Sequence, residues 1–334
     1  MITLLQGTNE VHLVLYSLCM QWIKPFAEIS KNDAAIAGGK GASLGEMTQA
    51  GIPVPPGYVL LAQSFDEFVE KTNLGPEIES ILNMVNTDDN KTVDEASKKI
   101  QALILSQEIP AEMAEDILEK FDALASEFVA VRSSATAEDS SAAAWAGQLD
   151  TYLNTTRDGL LNNVRRCWAS LFTPRAVFYR FEKGLNGTQI SVAVVVQKMV
   201  QSDAAGVAFS VDPVTQNRNL MIIEGAFGLG ESVVSGQVTP DSFVITKSPF
   251  AIESREVAVK DRGLYRKEGG GNEWRNLSAE ESERPVLVDS EVLELSKTIL
   301  DIEAHYGFPV DVEWAKEGSA IYITQSRPIT TLKS

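Results

Sequence analysis

Two carboxylates alternate with apolar residues near the C-terminal end of the chain, in the sequence VDVEW at residues 310–314. Successive side chains of a β-strand point to opposite faces, so a strand here puts Asp311 and Glu313 on one face. Mg²⁺ is commonly held by one or two carboxylates together with substrate phosphates. The pair is therefore a candidate metal site, and a solvated sheet face is the alternative.

The sequence YITQSR at residues 322–327 predicts the return strand of a hairpin. With the turn centred on Gly318, Gln325 falls opposite Asp311, and Arg327 extends the same polar face. An amide oxygen and a guanidinium beside carboxylates would suit a bound phosphate with its cation. A salt bridge on a solvated face would need no ligand, and the spacing alone leaves both interpretations open.

A glycine-rich segment, GGKGASLG at residues 38–45, leads into a short predicted helix. Glycines let the backbone approach an anion closely, and the N-terminus of a helix favours phosphate. Lys40 would then lie beside the bound oxygens. The segment does not match the P-loop pattern, however, and a tight structural turn that carries a solvated lysine would have the same sequence.

Arg132 directly follows a short predicted strand, VAV at residues 129–131, and begins a Ser- and Ala-rich loop that extends to residue 146. An arginine at the end of a strand can hold a phosphate through two parallel hydrogen bonds. A surface salt bridge to Glu138 or Asp139 is the competing interpretation.

Three further positions could contact a nucleotide. Gly147 and Thr151 lie where the Ser- and Ala-rich loop leads into the next strand, so they offer a backbone amide and a hydroxyl to a phosphate. Gln197 ends an apolar predicted strand, where backbone groups could pair with the edge of a purine. Each position is also compatible with ordinary loop or strand architecture.

These positions fall in two regions of different character. Residues 1–187 predict a helix-rich N-terminal lobe, with several acidic-faced helices between residues 64 and 127. Residues 188–334 predict a strand-rich C-terminal lobe, because short β-branched runs alternate there with turn residues. One long helix at about residues 291–305 lies among these strands and ends at Gly307. The sequence thus predicts an α+β fold of two lobes.

The composition suits a globular protein that needs no disulfide or structural metal. The 334 residues are 44% hydrophobic, and their formal net charge of −17 disfavours a nucleic-acid or anionic-membrane partner. Cys19 and Cys167 lack metal-ligand spacing and indicate a reduced protein of the cytoplasm. The apolar run at residues 11–23 is too short to span a bilayer, so we expect a buried element there.

Taken together and in this order, the segments resemble the N-terminal nucleotide-binding domain of the family that contains phosphoenolpyruvate synthase, pyruvate phosphate dikinase and rifampin phosphotransferase. No single segment is decisive, but their order over about residues 30–330 is highly specific. The matching segments are GGKGASLGEM (38–47), VRSSATAED (131–139), AGQLDTYLN (146–154), VVVQKMV (194–200), GVAFSVDPVT (206–215), EGAFGLGE (224–231), VTPDSFVI (238–245), and DVEWA (311–315) with YITQSRPIT (322–330).

The resemblance implies an ATP-grasp-like fold of two lobes with Mg-ATP clamped between them. By this analogy Lys40, Arg132 and Arg327 neutralise the phosphates, and Asp311 is a further plausible member of the site. The family's nucleotide contacts carry over to Lys40, Arg132, Gly147, Thr151, Gln197, Glu313, Gln325 and Arg327.

The same analogy distributes the remaining roles. By this analogy, Glu313 and Gln325 bind the Mg²⁺. Gly147 and Thr151 belong to the loop that covers the phosphates, and Gln197 lies beside the adenosine.

The resemblance also implies a reaction. In this family ATP gives AMP and inorganic phosphate, and the β-phosphoryl group passes to a histidine on a swivelling domain. A third domain then passes it to pyruvate or to a drug hydroxyl. The present sequence has two histidines, His12 in an apolar run and His305 at a helix end, and neither lies in the Gly/Ser/Thr-rich loop expected of the carrier. We therefore expect a phosphohistidine carrier domain or subunit that acts in trans, as in the two-subunit phenylphosphate synthases.

Two features depart from the family, and two other functional classes stay open. Trp145 stands where relatives often have phenylalanine, and the first 25 residues carry none of the family's segments. A regulatory nucleotide-binding module without turnover would keep the same fold, although the retained Lys40 and Glu313 favour an enzyme. A free-standing ATP-grasp ligase would need an acceptor site, and none is recognisable. Domains other than this one would choose the final phosphoryl acceptor.

Overall fold

The computed structural model describes residues 22–136, 150–185 and 190–332. The helices of these ranges are α1 (Ala34–Gln49), α2 (Ala62–Lys71), α3 (Gly75–Leu82), α4 (Asn90–Ser106), α5 (Ala111–Ala123), α6 (Arg157–Ala169), α7 (Pro174–Glu182), α8 (Glu231–Val234), α9 (Ala279–Glu283) and α10 (Asp289–Tyr306). The strands are β1 (Ile23–Pro25), β2 (Gly57–Leu60), β3 (Val129–Ala135), β4 (Thr151–Thr155), β5 (Val192–Lys198), β6 (Ala204–Phe209), β7 (Leu220–Phe227), β8 (Asp241–Thr246), β9 (Ala251–Glu256), β10 (Arg262–Arg266), β11 (Asn272–Asn276), β12 (Val310–Glu317) and β13 (Ala320–Pro328).

The first sheet is antiparallel, with the strand order β1-β2-β5-β3-β4. Helices α2 to α7 cover one of its faces, where Val192, Val194 and Val196 of β5 are buried among them. The intervening Val195 is buried on the opposite face, as the two-residue period of a strand requires. Strand β5 lies beyond residue 188, so the strand-rich part of the sequence contributes the middle of this sheet, and the division of the chain into two lobes there stays a prediction.

The second sheet is also antiparallel, with the strand order β13-β12-β6-β7-β8-β9. Helix α10 supplies an apolar stripe to the core against this sheet, and Leu295 and Ile299 of that stripe are completely buried. The helix ends at Gly307, which has a φ of 77°, so the predicted long helix and its glycine cap are confirmed. The antiparallel sheets and the segregated helices confirm the predicted α+β class.

Two further observations concern the β10–β11 hairpin and the length and polarity of the helices. The β10–β11 hairpin forms a separate two-stranded sheet, is joined to Gly228 by a single β-bridge at Leu264, and turns at the glycines of residues 269–271. Among the residues that the structure describes, no helix has both the length and the apolar character that a membrane span needs.

Helix α1 contains the glycine-rich segment, which is helical from residue 39 onward and departs from helical geometry at Gly38 (φ 68°, ψ 168°). The segment is therefore a helix apart from the turn-like conformation at Gly38. Gly38 lies against β3, because a Cβ added there would be 2.2 Å from the Oγ of Ser134. Ser134 Oγ donates to the carbonyl of Ala37 (3.0 Å) and accepts from the amide of Gly41 (3.2 Å). This contact places the N-terminal turn of the helical segment against the end of β3.

Substitution of Gly38 by alanine should therefore destabilise the protein by at least ~2 kcal/mol, because both the positive φ and the close approach to Ser134 oppose a Cβ. Chemical denaturation of the two proteins measures the difference. The matched control is Gly51→Ala, since Gly51 also has a positive φ of 76° but has no atom within 4 Å of the added Cβ. Equal losses in the two variants would show that the contact with Ser134 contributes nothing.

Candidate functional site

A cavity of about 340 Å³ lies between the two sheets. Arg132, Thr151 and Gln197 border it from the first sheet, and Glu313 and Trp314 border it from the second. Four of the positions that the family resemblance predicts as nucleotide contacts therefore meet at one cavity. The most distant of them in sequence, Arg132 and Glu313, are 181 residues apart.

The pairing of the strands explains why the first three side chains meet. Arg132 of β3 lies directly opposite Thr151 of β4 and Val195 of β5, and Ala130 lies opposite Gln197. Directly opposed residues project to the same side of a sheet. Arg132, Thr151 and Gln197 therefore share the face that is turned away from helices α2 to α7.

Arg132 joins the two sheets through its guanidinium. Its Nη1 donates to the carbonyl of Thr324 (2.8 Å), and its Nη2 donates to Gln325 Oε1 (2.6 Å) and Glu313 Oε2 (3.2 Å). The residue is only 7% exposed, and its buried Nε has no acceptor in the described part of the chain. Arg132 is thus not a surface residue, and Glu138 and Asp139, the partners of the competing interpretation, lie outside the described residues.

The β12–β13 hairpin has a different register from the one predicted. Glu313 lies opposite Gln325, and Asp311 lies opposite Arg327, whereas the sequence predicted Gln325 opposite Asp311. The turn holds two residues instead of one, and an irregularity leaves Thr324 without a partner residue on β12. Each change shifts the pairing by one residue. The predicted register of the hairpin was therefore wrong by two residues. The bulge also turns the carbonyl of Thr324 to Arg132.

Asp311 and Arg327 form an ion pair beside the cavity. Arg327 Nε donates to Asp311 Oδ2 at 2.8 Å. The Arg327 side chain is 53% exposed and that of Asp311 is 13% exposed. Neither residue borders the cavity itself, so a ligand that they contact has to extend out of it on the side of β13.

Lys40 of helix α1 lies beside the strand that carries Arg132. Its Nζ donates to the carbonyl of Ser133 at 3.1 Å, and Ser133 is the next residue after Arg132 in β3. The kink at Gly38 and the contacts of Ser134 hold the lysine at this position. Lys40 does not border the cavity. Gly147, the remaining predicted contact, lies outside the described residues.

Glu224 is a titratable residue near the site that the residue types alone did not single out. It lies on β7 opposite Val207 of β6, and Val207 lies opposite Glu313 of β12. The two carboxylates are thus in one row across the sheet and on the same face. Burial raises the pKa of the Glu224 carboxyl. Its position at the start of the motif EGAFGLGE was the signal available in the sequence.

Amide side chains connect the edge of the cavity to the β10–β11 hairpin. Asn154 Nδ2 of β4 donates to Asn272 Oδ1 of β11 (2.8 Å), and Asn272 Nδ2 donates to Glu231 Oε2 of α8 (3.0 Å). On the same hairpin, Arg266 Nε donates to Gln201 Oε1 (3.0 Å). Sequence reasoning missed these contacts, because single amides carry no recognisable spacing. They link the first sheet to the C-terminal half of the chain.

The chemistry of the cavity suits an anion that arrives with a cation. Arg132 has a buried N–H without an acceptor in the part of the chain that the structure describes, and the cost of such a group falls when a ligand oxygen reaches it. Glu313 and Gln325 hold carboxylate and amide oxygens beside it, which are the donor types that Mg²⁺ prefers. The remaining walls are largely apolar, as in most small-molecule sites. They include Val200, Ala205, Leu229, Trp314 and Ala315.

The family described as pyruvate phosphate dikinase, AMP/ATP-binding domain, matches residues 34–334. The chain is 44% identical over 321 residues to a probable phosphoenolpyruvate synthase of Methanocaldococcus jannaschii, covering 94% of this chain and 27% of that protein. It is 40% identical over 363 residues to the phosphoenolpyruvate synthase of Pyrococcus furiosus, covering 95% and 44%. It is 38% identical over 314 residues to a rifampicin phosphotransferase of Bacillus cereus, covering 93% and 36%.

The chain thus spans less than half the length of these curated relatives. The family match covers the residues that border the cavity and both sheets except strand β1, which lies before residue 34. It agrees with the resemblance that the motifs predicted. The chain belongs to the pyruvate phosphate dikinase AMP/ATP-binding domain family.

Proposed function

We propose that the chain binds Mg-ATP in the cavity between the sheets and holds it for phosphoryl transfer to a histidine of another domain. The observation that carries the proposal is Arg132, a buried guanidinium whose Nε–H has no acceptor in the described ranges and which borders a cavity whose opposite wall supplies Glu313. Phosphoryl transfer depends mainly on positioning and on the neutralisation of negative charge. A guanidinium fixed by three hydrogen bonds provides both.

The proposed phosphate contacts extend outward from Arg132. Lys40 lies on one side of it, and Arg327 lies beyond Gln325 on the other, so the three cations would follow the triphosphate. Arg327 would exchange or share its bond to Asp311 when phosphate binds. Thr151 faces the cavity beside Arg132 and offers a hydroxyl to a phosphate oxygen, and Gly147 would contribute a backbone amide.

Glu313 and Gln325 would hold the Mg²⁺. Their hydrogen bonds to Arg132 orient the side chains, and each oxygen has lone pairs left for a metal. When bound, the Mg²⁺ would supply positive charge that offsets the negative charge of the phosphates. The arginine would keep the two ligands in place and exclude water from their buried side.

The adenosine would occupy the end of the cavity near Gln197. Lys198 and Met199 follow it at the end of β5 and border the cavity as well, so backbone groups there can meet the edge of a purine. Leu229 and Trp314 provide apolar surface for the base. A volume of about 340 Å³ lies in the range of small-molecule sites.

The phosphoryl acceptor would be a histidine on a carrier domain or subunit. With one water, ATP and the histidine would give phosphohistidine, AMP and inorganic phosphate. The carrier would then deliver the group to a small molecule bound elsewhere. Because relatives named for phosphoenolpyruvate synthesis and for rifampicin phosphotransfer share this domain, the final acceptor would be chosen outside it.

A thermal-unfolding titration tests the nucleotide site. Mg-ATP at a hundred times its dissociation constant should stabilise the protein by about 2.7 kcal/mol. Glu313→Ala and Lys40→Ala should each remove most of that shift, because one loses a metal ligand and the other a phosphate contact. Glu317→Ala is the matched control, since Glu317 lies on the same strand but is exposed and does not border the cavity.

A shift that survives in both site variants would place the nucleotide elsewhere. The transfer step is tested separately, by mixing the chain with a phosphohistidine carrier domain of a relative and radiolabelled ATP. With the label on the β-phosphate of ATP, labelled phosphohistidine and unlabelled AMP are the expected products. Binding without any phosphohistidine on such carriers would favour a regulatory nucleotide-binding module instead.

A further inference from the structure

A second cavity of about 720 Å³ lies in the helical part of the structure, between α2, α3 and α7. It is on the helix-covered side of the first sheet, whereas the nucleotide cavity is on the other side. Its walls combine polar and apolar side chains, and the apolar ones can bury the hydrophobic part of a ligand. The apolar side chains that border it are Phe65, Val69, Ile78, Leu82, Phe172 and Ile190.

Arg180 of α7 borders this cavity and is only 5% exposed. Its Nε and Nη2 are buried and have no hydrogen-bond acceptor among the described residues. The guanidinium carbon lies 5.4 Å from the ring centroid of Phe172. Burial lowers the pKa of Arg180 to about 10, so the side chain keeps its charge at neutral pH. A buried charge without a counter-ion is unfavourable, and a ligand that supplies an oxygen anion would relieve it.

We propose that this cavity binds a small monocarboxylate with an apolar body, its carboxylate on the Arg180 guanidinium and its body against Phe65 and Phe172. A planar carboxylate matches the fork of N–H donors of an arginine. The two aromatic rings bury apolar area efficiently and prefer offset or edge contacts with another ring. An arylalkanoate therefore combines both requirements.

The charges around the cavity exclude a second nucleotide or phosphate site. Asp66, Glu70 and Glu79 also border it, and Glu70 and Glu79 are exposed at its rim. Asp66 already accepts from the hydroxyl of Ser191 (2.5 Å). The cavity offers one buried cation and three carboxylates. This balance disfavours a polyanion, because the carboxylates repel every negative charge of the ligand beyond the one that Arg180 neutralises. A single carboxylate that reaches Arg180 avoids this repulsion.

Two sources share this chemistry, a fatty or aryl acid and an apolar amino acid. The probes are therefore 3-phenylpropanoate, phenylalanine and 3-phenylpropanamide, which share one carbon skeleton and differ in charge. Their dissociation constants for the full chain are measured by calorimetry or by perturbation of NMR signals of α2 and α7. We expect both carboxylates to bind and the neutral amide to bind at least about tenfold more weakly, since it lacks the charge-assisted hydrogen bonds.

Arg180→Met tests the role of the guanidinium. The variant should keep or raise the melting temperature of the protein, because an apolar side chain replaces a buried charge that has no counter-ion among the described residues. It should weaken 3-phenylpropanoate about tenfold to a hundredfold, as expected when charge-assisted hydrogen bonds are lost. Arg175→Met is the matched control, because Arg175 lies on the same helix, is exposed and does not border the cavity.

Val69→Phe provides a second test that leaves Arg180 in place. The larger side chain fills part of the cavity and should also weaken 3-phenylpropanoate, whereas the binding of Mg-ATP should not change. Tighter binding of phenylalanine than of 3-phenylpropanoate would identify an amino acid, whose ammonium group meets the rim carboxylates. Equal binding of the amide, or unchanged affinity in both variants, would overturn the proposal.

Discussion

Substitution of Arg132 by methionine should abolish the stabilisation of the protein by Mg-ATP and reduce phosphoryl transfer by about a hundredfold or more. The guanidinium contacts Thr324, Gln325 and Glu313 at once, and its buried Nε–H has no acceptor among the described residues. Methionine removes the cation that would meet the phosphates. It also leaves the Glu313 carboxylate without its cationic partner at the cavity.

Arg132→Lys should recover little of this loss. A lysine ammonium is a compact point charge and cannot donate in the three directions that the planar guanidinium serves. The side chains of Glu313 and Gln325 would then lose their common anchor, and the proposed metal ligands would no longer be held in one geometry. Retention of most of the nucleotide affinity in the lysine variant would mean that charge alone matters at this position.

The measurement combines thermal unfolding with and without Mg-ATP and a single-turnover transfer assay with a carrier domain. Arg157→Met is the control, because Arg157 forms an exposed ion pair with Asp122, with side chains 50% and 53% exposed. Loss of such a pair changes stability by less than about 1 kcal/mol. A similar nucleotide response in Arg157→Met and Arg132→Met would contradict the role assigned to Arg132.

The second large effect concerns the buried ion pair of Lys260 and Asp241, whose side chains are both completely buried. Asp241 Oδ1 accepts from Lys260 Nζ (2.5 Å) and from the amide of Ala258 (3.0 Å), and its Oδ2 accepts from the amide of Val286 (2.8 Å). The carboxylate thus attaches to β8 both the segment after β9 and the segment before α10. Lys260→Met should lower the free energy of unfolding by about 3–5 kcal/mol, because it leaves the carboxylate buried without its counter-ion.

Chemical denaturation measures this loss, and the double variant Lys260→Met/Asp241→Asn separates charge from packing. Removal of both charges should restore part of the stability, since no uncompensated ion remains inside. The control is Arg255→Met, because the pair of Arg255 with Asp289 is exposed and should contribute less than about 1 kcal/mol. A double variant that is less stable than Lys260→Met would show that the backbone contacts of Asp241, and not the charges, dominate.

Much of the local structure was predictable because its causes are local. Helix α10 follows from an apolar stripe that ends at Gly307, and the alternation around Asp311 and Glu313 follows from the period of a strand. The motifs identified the family without any coordinates, because eight ordered segments are a strong pattern even when each is weak alone. In contrast, the residues next to Arg132 in the sequence did not indicate whether its side chain is buried or exposed.

The register of the β12–β13 hairpin shows what could not be predicted from the sequence. Its turn holds two residues, and the bulge at Thr324 adds another shift. Nothing in the sequence marks a bulge, because its stability comes from what the strand contacts across the sheet and not from the residue type. Here the carbonyl of Thr324 accepts from Arg132, which is 192 residues away. The sequence could therefore predict the polar face but not which of its members oppose each other.

The amino-acid sequence by itself determined the α+β class, the main helices, the polar face of β12 and the family. These depend on periodicity, glycine positions and ordered motifs, which are properties of short segments. Only the tertiary structure decided that β5 lies in the first sheet, that Arg132 joins the two sheets, and that Arg180 is buried with two N–H groups that meet no acceptor among the described residues. Each of these depends on contacts between distant segments, whose energies are set by packing and burial and leave no periodic trace in the sequence.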